Sequence, residues 1–383
     1  MIKAALIGVS GYASLYLKNL IRLQENGVLD LEAVLIKNPD EHEEEAAFIK
    51  ANGADIFSDS TAFFEAIANK GVELCCIPTS IYSHAHLSLE AMKAGCHVLV
   101  EKPAAATVAD IDKMLEGAKE YDRKVFVGYQ DIYHESIWHI KRLILEGVIG
   151  ELQSLSLLGL WPRSMAYFTR NEWAGKLKLD DHWIYDSVLH NAFGHFLNLM
   201  CFWAGSEPGR SAEVDKVSGN LYRTMPIESF DTCSIKVRTT SGKNLLAHLS
   251  HSSKNNVDPE IRILGTRGSI EWQPASYKVN GELFEVANNT AESLSMSRTT
   301  MFDNVVEILH GKEKHCCSLE IARVPTQIAN LLHAELPITS LSNGLVSTYE
   351  NELGKHLAIT GLEELMNLAH HKHSLMQPLV LNV

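Results

Sequence analysis

The chain is 383 residues long, with 46% hydrophobic and 21% charged residues, which is enough for two domains with separate cores. Its 47 acidic side chains outnumber 34 Lys and Arg side chains, giving a formal net charge of -13. Nucleic acids and anionic membranes are bound by clustered basic surfaces, so this balance disfavours both kinds of partner.

Cysteine usage and apolar segments indicate a cytoplasmic protein. The seven cysteines are an odd number, and their two adjacent pairs lack the spacing of a disulfide framework or a metal site. The apolar stretch 4–16 contains a glycine turn and is followed by Lys18 and Arg22 at helical spacing, which favours strand, turn and helix over a signal peptide. No segment approaches the ~20 apolar residues of a membrane helix.

Short apolar runs alternate with helical patterns over the first third of the chain. The predicted strands are 3–9, 31–36, 56–57, 72–77, 97–100 and 124–128. The predicted helices are 14–24, 41–52, 61–69, 84–94 and 108–121. Such alternation is typical of a doubly wound parallel sheet, so we predict an α/β domain over residues 1–128.

Residues 129–383 show a different order and spacing of predicted helices and strands. The helices predicted there are 137–146, 187–204, 319–333 and 351–367. The strands predicted there are 151–160, 214–222, 232–239, 244–251, 260–264 and 269–272. Strands at such short intervals, separated by glycines, favour a largely antiparallel open sheet, so we predict an α+β second domain.

The turn at residues 8–13 lies between the first strand and the first helix. Glycines let the backbone approach a pyrophosphate, and a helix N-terminus offers N–H groups and a positive dipole end. The G-x-G-x-x-G/A fingerprint is altered, because Ser10 occupies the second glycine position. An ordinary tight turn is the alternative, but the position favours a cofactor, cradled by Gly8, Ser10, Gly11 and Tyr12.

The end of the second strand bears on which nicotinamide cofactor is used. An NAD site normally has Asp or Glu there to bind the ribose hydroxyls, whereas this chain has Ile36, Lys37 and Asn38. Loss of the carboxylate also removes repulsion against a 2′-phosphate, which Lys37 and Asn38 are placed to hold. The pattern favours NADP over NAD; a merely solvated lysine is the alternative, and nearby Asp40 keeps NAD open.

Glu101, Lys102 and Pro103 follow the predicted strand 97–100 directly. Proline fixes its own φ and biases the preceding residue away from helix, so Lys102 is expected in an extended turn. Open α/β sheets bind ligands at this carboxyl end of their strands. A lysine there can orient a substrate hydroxyl or take part in its proton transfer. A surface ion pair of Glu101 with Lys102 is the alternative.

His195 lies one helical turn after Asn191 on a predicted helix. An imidazole in that position can remove a hydroxyl proton during hydride transfer, although a lone helical histidine is usually structural. Upstream, the stretch 161–173 contains Arg163, Tyr167 and Trp173. Aromatic faces and guanidinium groups suit sugar rings, hydroxyls and carboxylates, and equally suit a subunit interface.

Histidine-rich stretches do not predict a metal site. The tract 370–373 resembles a metal-binding tract but is interpreted as a solvated helix end, and His84 and His86 lack a third ligand nearby. We therefore expect no catalytic metal.

Taken together, the motifs resemble the Gfo/Idh/MocA family of NAD(P)-dependent oxidoreductases, which act mostly on sugars and polyols. The resemblance covers most of the chain and is strong over residues 1–205. The matching stretches are the turn at 8–13, the run 77–79 followed by His84, the run 94–103 with its Glu-Lys-Pro motif, the Glu-Gly-Val-Ile-Gly run 146–150, and His195 followed by Gly205.

The resemblance implies a Rossmann domain, then an open mixed sheet that often makes homodimer or homotetramer contacts. It implies catalytic roles for Lys102 and His195. It also implies that the cofactor is bound by Pro78, Thr79, His84, Glu101, Lys102 and Gln130. Asn191 stands where many members have an aspartate, and an amide cannot accept a proton as a carboxylate does.

The predicted function is hydride transfer between NADP or NAD and a secondary alcohol of a carbohydrate or polyol. Lys102 and His195 would handle the hydroxyl proton, while Asn191, Arg163, Tyr167 and Trp173 would bind the substrate. Two alternatives remain at this point. One is a lyase or glycosidase-like enzyme that uses tightly bound NAD for transient oxidation. The other is a non-catalytic nucleotide-binding sensor.

Overall fold

The computed structural model describes residues 1–342 and 344–379, which divide into two compact units. The first comprises Met1–His134 and Met296–Ala322, and the second comprises Glu135–Ser295 and Arg323–Val383. The first unit therefore ends a few residues after position 128 and also takes in a later segment, which the sequence pattern does not indicate. Among the described helices, none is both long enough and apolar enough to cross a membrane.

The first unit is built on a six-stranded parallel sheet. Its strands are β1 (Ile2–Ile7), β2 (Leu29–Leu35), β3 (Asp55–Phe57), β4 (Leu74–Ile77), β5 (His97–Val100) and β6 (Val125–Val127). They are ordered β3-β2-β1-β4-β5-β6, and every pair is parallel. The predicted doubly wound sheet is confirmed. Its strand order reverses between β1 and β4, where open α/β sheets bind their ligands.

Five helices connect these strands, with ends fixed by local chemistry. They are α1 (Ala13–Glu25), α2 (Glu43–Ala51), α3 (Ser60–Lys70), α4 (His84–Lys93) and α5 (Val108–Glu120). The side chains of Asp59 and Thr107 cap α3 and α5 by accepting from backbone N–H groups at 2.8 and 3.1 Å. Strands β4 and β6 are buried along their whole length, as expected for a sheet covered on both faces.

The second unit contains most of the remaining elements. Up to residue 285 these are α6 (Glu135–Leu145), β7 (Leu152–Leu160), β8 (Lys178–Leu179), β9 (His182–Trp183), α7 (Gly194–Ala204), β10 (Val214–Arg223), β11 (Thr232–Thr239), β12 (Asn244–Ser250), β13 (Val257–Gly265), β14 (Ser269–Gln273), β15 (Ser276–Val279) and β16 (Glu282–Glu285). The later elements of the chain are α8 (Thr290–Leu309), α9 (Leu319–Glu335), β17 (Ile338–Ser340), β18 (Val346–Asn351), β19 (Gly354–Ile359) and α10 (Leu362–His371). Residues 296–309 of α8 and 319–322 of α9 belong to the first unit.

Nine of these strands form one open sheet, ordered β16-β15-β14-β13-β7-β12-β11-β10-β17. The β7–β12 and β10–β17 pairs are parallel, and the other pairs are antiparallel. The predicted α+β architecture with a largely antiparallel open sheet is confirmed.

The predicted helix 351–367 is wrong over its first half. Residues there form the β18–β19 hairpin, which turns at Gly354 with φ of +99°, a conformation that favours glycine. Tyr349 stacks on His356 across the two strands at 4.8 Å between ring centres. Only from Leu362 onward does the chain form a helix, after the second strand of the hairpin, whose alternate residues His356 and Ala358 are buried.

Helix α10 packs on one face of the sheet. Leu362 and Met366 lie in a buried cluster with Leu158 and Leu160 of β7. Nearby His370 is fully buried and hydrogen-bonds to Ser156 at 2.9 Å. The interpretation of the tract 370–373 as a solvated helix end is therefore wrong for His370.

Candidate active site

The glycine turn of the first unit presents unused backbone donors. Gly8 and Gly11 have φ of +93° and +58°, and the Gly8 N–H donates to the Leu35 carbonyl at 2.9 Å. No side chain caps the N-terminus of α1. Within the described residues, the N–H groups of positions 9–12 donate no hydrogen bond. Because these donors precede a helix N-terminus, the turn fits the pyrophosphate of a dinucleotide.

Two residues predicted to bind cofactor are joined at this turn. The Tyr12 hydroxyl donates to the Gln130 side-chain oxygen at 3.1 Å, and Gln130 is 3% exposed. Gln130 begins a short turn after β6, whereas Tyr12 precedes α1. The hydrogen bond thus links two loops at the carboxyl edge of the sheet.

The residues after β2 lie on the same edge, because β2 is the neighbour of β1. Ile36 is buried, and its N–H donates to the Phe57 carbonyl at 2.8 Å. Lys37 is exposed and forms no ion pair with any described residue. The Asn38 amide donates to Glu41 at 3.0 Å. The carboxylate expected of an NAD site is therefore replaced by an accessible ammonium group.

The Glu101 carboxylate holds the loop that carries Lys102. It is 6% exposed and accepts from the Tyr16 hydroxyl at 2.8 Å and from the Lys102 backbone N–H at 2.9 Å. Burial and the negative charge of Glu101 raise the pKa of Tyr16, so this tyrosine stays protonated and donates. A Cβ on Gly128 would lie 2.5 Å from the Glu101 carboxylate, so a larger residue there would displace this side chain.

His84 ties the Lys102 loop to the loop after β4. Its ring nitrogens lie 2.9 Å from the Pro103 carbonyl and 3.0 Å from the Thr79 carbonyl, and it is 1% exposed. Burial and the charge of Lys102 lower the pKa of His84, although both carbonyls favour its protonated form. Thr79 itself bonds to Ser83 at 2.7 Å between hydroxyl oxygens. In this structure His84 therefore positions the two loops.

In the second unit, Asn191 and His195 lie around a break in helical geometry. Residues Val188–Ala192 form a π-helical turn, which is followed by Phe193 and then α7. Ser187 caps the turn by accepting from the His190 N–H at 3.1 Å. Such π-turns occur frequently at functional sites. Both Asn191 and His195 are half-buried.

Asp186 is a site residue that sequence reasoning missed. It is 4% exposed; one carboxylate oxygen accepts from the Asn191 amide at 2.8 Å, and the other accepts from the Gly175 N–H at 2.6 Å. Gly175 has φ of +71°, and a Cβ there would lie 2.5 Å from Ile227. No periodic pattern marks Asp186, because its partners are brought to it by the β8–β9 hairpin and the π-turn.

The Tyr167 ring lines the same cavity as Asn191 and contacts two arginines. Guanidinium carbons lie over the Tyr167 ring at 4.9 Å for Arg163 and 3.7 Å for Arg170, and Arg170 lies 5.2 Å from the Trp173 ring. This cavity is small and opens beside Tyr167. Its lining includes Tyr167, Phe168, Asp186, Ser187, Asn191 and His251.

His251 is the second cavity residue that sequence reasoning missed. It is 3% exposed, and its Nδ1 lies 2.8 Å from the Trp161 carbonyl. Burial and the charge of Arg163 lower its pKa to about 3, so the ring is neutral at physiological pH. It lies directly after β12, but the predicted strand 244–251 included it, so the sequence pattern did not mark it as a site residue.

Each predicted site residue thus has a definite place. The first unit holds Lys102 and the predicted cofactor residues, which follow neighbouring strands at one sheet edge. The second unit holds His195 and brings Asn191 and Tyr167 to one cavity. Among the described residues, no group of three or more His, Cys, Asp or Glu side chains has an arrangement that would hold a metal ion.

Comparison with known proteins identifies both parts of the chain. Residues 2–129 match the family model described as "Oxidoreductase family, NAD-binding Rossmann fold", and residues 137–271 match the "GFO/IDH/MocA C-terminal domain". Inositol 2-dehydrogenase of Salmonella typhimurium is 30% identical over 273 residues, which are 70% of this chain and 73% of that enzyme.

Two further proteins show how far the likeness extends. The dTDP-3,4-didehydro-2,6-dideoxy-alpha-D-glucose 3-reductase of Streptomyces violaceoruber is 26% identical over 204 residues, 53% of this chain and 55% of that enzyme, so the match spans about half of it. The WlbA dehydrogenase of Chromobacterium violaceum, solved with NADH and UDP-GlcNAcA, superposes with a TM-score of 0.70 at 20% identity, covering 87% of this chain and 93% of WlbA. At that identity the superposition shows the shared fold.

Proposed function

The chain belongs to the Gfo/Idh/MocA family of NAD-binding oxidoreductases, and we propose that it transfers a hydride between a nicotinamide cofactor and a secondary alcohol of a sugar or polyol. The observation that carries this proposal is the single sheet edge that holds both the unused N–H donors of residues 9–12 and the anchored Lys102 loop. The inositol dehydrogenases among its relatives support a polyhydroxylated substrate.

Oxidation of a secondary alcohol breaks a C–H and an O–H bond and forms a carbonyl. When the cofactor is bound, its nicotinamide ring supplies the hydride acceptor. In our proposal His195 accepts the hydroxyl proton on an imidazole nitrogen, and the Lys102 ammonium donates a hydrogen bond to the substrate oxygen. Asn191 accepts from a neighbouring substrate hydroxyl through its amide oxygen.

We also propose that NADP is preferred over NAD. Lys37 is exposed and forms no ion pair with any described residue at the strand end where a ribose-binding carboxylate is expected. At position 37 a 2′-phosphate therefore meets a cation, while the nearby Glu41 carboxylate is held by the Asn38 amide. The cytoplasmic location and the homodimeric or homotetrameric state remain predictions.

The test begins with calorimetric titration of NAD(H) and NADP(H) into cofactor-stripped protein. We expect NADP(H) to bind more tightly, and Lys37→Ala to weaken it by about tenfold through loss of one charge-assisted contact. The matched control is Lys119→Ala, which removes an exposed lysine at the end of α5. Tight NAD binding that Lys37→Ala leaves unchanged would contradict the NADP preference.

The preferred cofactor is then combined with a panel of sugars and polyols that includes myo-inositol, and reduced nicotinamide is followed by absorbance. We expect turnover with at least one member, and a fall in kcat of roughly 100-fold or more for Lys102→Met and for His195→Asn. Bound cofactor without net turnover would favour transient oxidation by a lyase or glycosidase-like enzyme. Failure to bind either cofactor would overturn the proposed function.

A further inference from the structure

Arg163 and Arg170 share one aromatic ring. Their guanidinium carbons lie 4.9 and 3.7 Å from the centre of the Tyr167 ring, so the two charges are less than about 9 Å apart. Two like charges at that separation repel each other, and solvent screens part of this repulsion at the exposed Arg170. An anion from the protein or from a ligand would relieve this repulsion.

The protein does not supply a counter-ion. Among the described residues no carboxylate oxygen lies within 4.0 Å of either guanidinium, although the chain carries 47 acidic side chains. Asp186 lines the same cavity, but its two oxygens accept from Asn191 and Gly175. The Arg163 Nε–H is shielded from water and donates to no described residue. Hydrogen-bonding capacity at Arg163 is therefore left for a ligand.

Both charges act on the walls of the cavity. The Arg163 N–H donates to the His251 carbonyl at 3.0 Å, which fixes the backbone of Arg163 against the cavity-lining residue His251. The positive charges of both arginines add to burial in lowering the pKa of His251. The Tyr167 ring, which lines this cavity together with Asp186 and Asn191, thus carries two guanidinium groups, while the His251 imidazole remains neutral.

We propose that the substrate is an anionic sugar, and that Arg163 and Arg170 bind its carboxylate or phosphate group. This inference rests on the proposed function and names the substrate class for the same site. A guanidinium presents paired N–H donors that match two oxygens of a carboxylate or phosphate. Tyr167 holds both guanidinium groups in place, and Asn191 binds the hydroxyl end of the sugar.

The test uses protein saturated with its preferred cofactor and matched acidic and neutral probes. These are D-glucuronate and D-glucose, D-galacturonate and D-galactose, and D-glucose 6-phosphate. We expect an acidic probe to bind at least about tenfold more tightly than its neutral partner, with affinity that falls as salt is raised. Comparison of the uronates with the phosphate distinguishes the two anionic groups.

Arg163→Gln and Arg170→Gln should each weaken binding of the acidic probe by about tenfold and leave cofactor affinity unchanged. Arg238→Gln, an exposed arginine on β11, is the matched control and should change neither. Equal affinity for acidic and neutral probes, acid binding that survives both arginine variants, or no binding of any probe to the cofactor-loaded protein would overturn the inference. Turnover of a neutral sugar in those cases would leave the proposed function standing, whereas absence of cofactor binding would remove the proposed function itself.

Discussion

Asp186 fixes the orientation of the Asn191 side chain. The carboxylate accepts the hydrogen bond between the two side chains, so the amide nitrogen of Asn191 faces it, at 2.8 Å. The amide oxygen is then directed away from Asp186. Asp186 is itself held by the Gly175 N–H at 2.6 Å. In the proposed reaction it therefore acts as a positioning residue.

Exchange of the two side chains tests this positioning role. Asp186→Asn sets an amide against two N–H donors, so we expect kcat/KM to fall by about 10- to 100-fold, as for a charge-assisted hydrogen bond. Asn191→Asp alone places two carboxylates together, which should raise the pKa of one of them and shift the pH profile. The double variant Asp186→Asn/Asn191→Asp restores the donor–acceptor pair and should recover at least about tenfold of the loss.

Asp181→Asn is the matched control, because Asp181 is exposed in the nearby β8–β9 hairpin and should not alter kcat/KM. If the double variant were no more active than the worse single variant, Asp186 would have no orienting role.

There is a physical reason why some site residues were predicted from the sequence and others were missed. Lys102 was identified because a charged residue between a buried strand and a proline is marked by sequence alone. Asp186 has no such mark, since its partner Gly175 lies on the far side of a hairpin. His84 was placed at the cofactor edge, but its contacts with two carbonyls depend on loops that meet only in the folded chain.

At the scale of elements, a buried lysine closes the C-terminus of α7. Lys141 of α6 is 1% exposed, and its Nζ donates to the carbonyls of Phe202 at 2.5 Å and Gly205 at 2.6 Å. It also reaches the Arg210 carbonyl at 3.3 Å. Burial, with the charge of Lys243, lowers the pKa of Lys141 to about 7. Cations favour helix C-termini, where the last carbonyls lack intrahelical donors. One side chain thus joins α6 to α7.

Lys141→Met should destabilise the protein by about 2–4 kcal/mol, because it leaves buried carbonyls without a donor. The free energy of unfolding from urea titration measures this loss. Lys243→Met is the matched control: Lys243 donates to the Ala204 carbonyl at 3.2 Å but is half-exposed, so water can replace it at a cost of less than about 1 kcal/mol. If Lys141→Met and Lys243→Met lowered the free energy of unfolding equally, the proposed stabilisation of the α7 C-terminus by buried Lys141 would be refuted.

The helices and strands of the first unit were predicted from the sequence more accurately than the elements near the C-terminus. Buried parallel strands such as β4 and β5 are continuous apolar runs bounded by turns, so their pattern survives without tertiary information. The β18–β19 hairpin is half-exposed, and its pairing of Tyr349 with His356 is established only when the strands meet. Its residues fit helical spacing equally well, which is why the prediction of a helix from 351 was wrong.

At the scale of the whole molecule, buried neutral histidines make stability depend on pH. His248 and His251 are 0% and 3% exposed. Burial, with the charges of His370 and His373, lowers the pKa of His248 to about 3, and burial with the charge of Arg163 does the same for His251. Within the described residues the Nε2 of His248 has no hydrogen-bond partner. Protonation of either ring would bury an uncompensated charge.

We expect the free energy of unfolding to fall as the pH is lowered below about 6.5. The unfolded chain binds a proton on each histidine near that pH, whereas folded His248 and His251 do so only near pH 3. Between these values the unfolded state binds more protons, so each histidine contributes a loss of about 1.4 kcal/mol per pH unit. Urea titrations at a series of pH values from neutral to mildly acidic measure the slope.

Replacement of His248 by Asn should reduce that slope by about 1.4 kcal/mol per pH unit, since one linked proton is removed. His310→Asn is the control, because His310 is exposed at the end of α8 and should leave the slope unchanged. A slope that His248→Asn does not alter would mean that the folded protein already protonates this imidazole above pH 5. That result would require solvent to reach the sheet beneath α10, so the measurement also tests how tightly α10 covers the buried face.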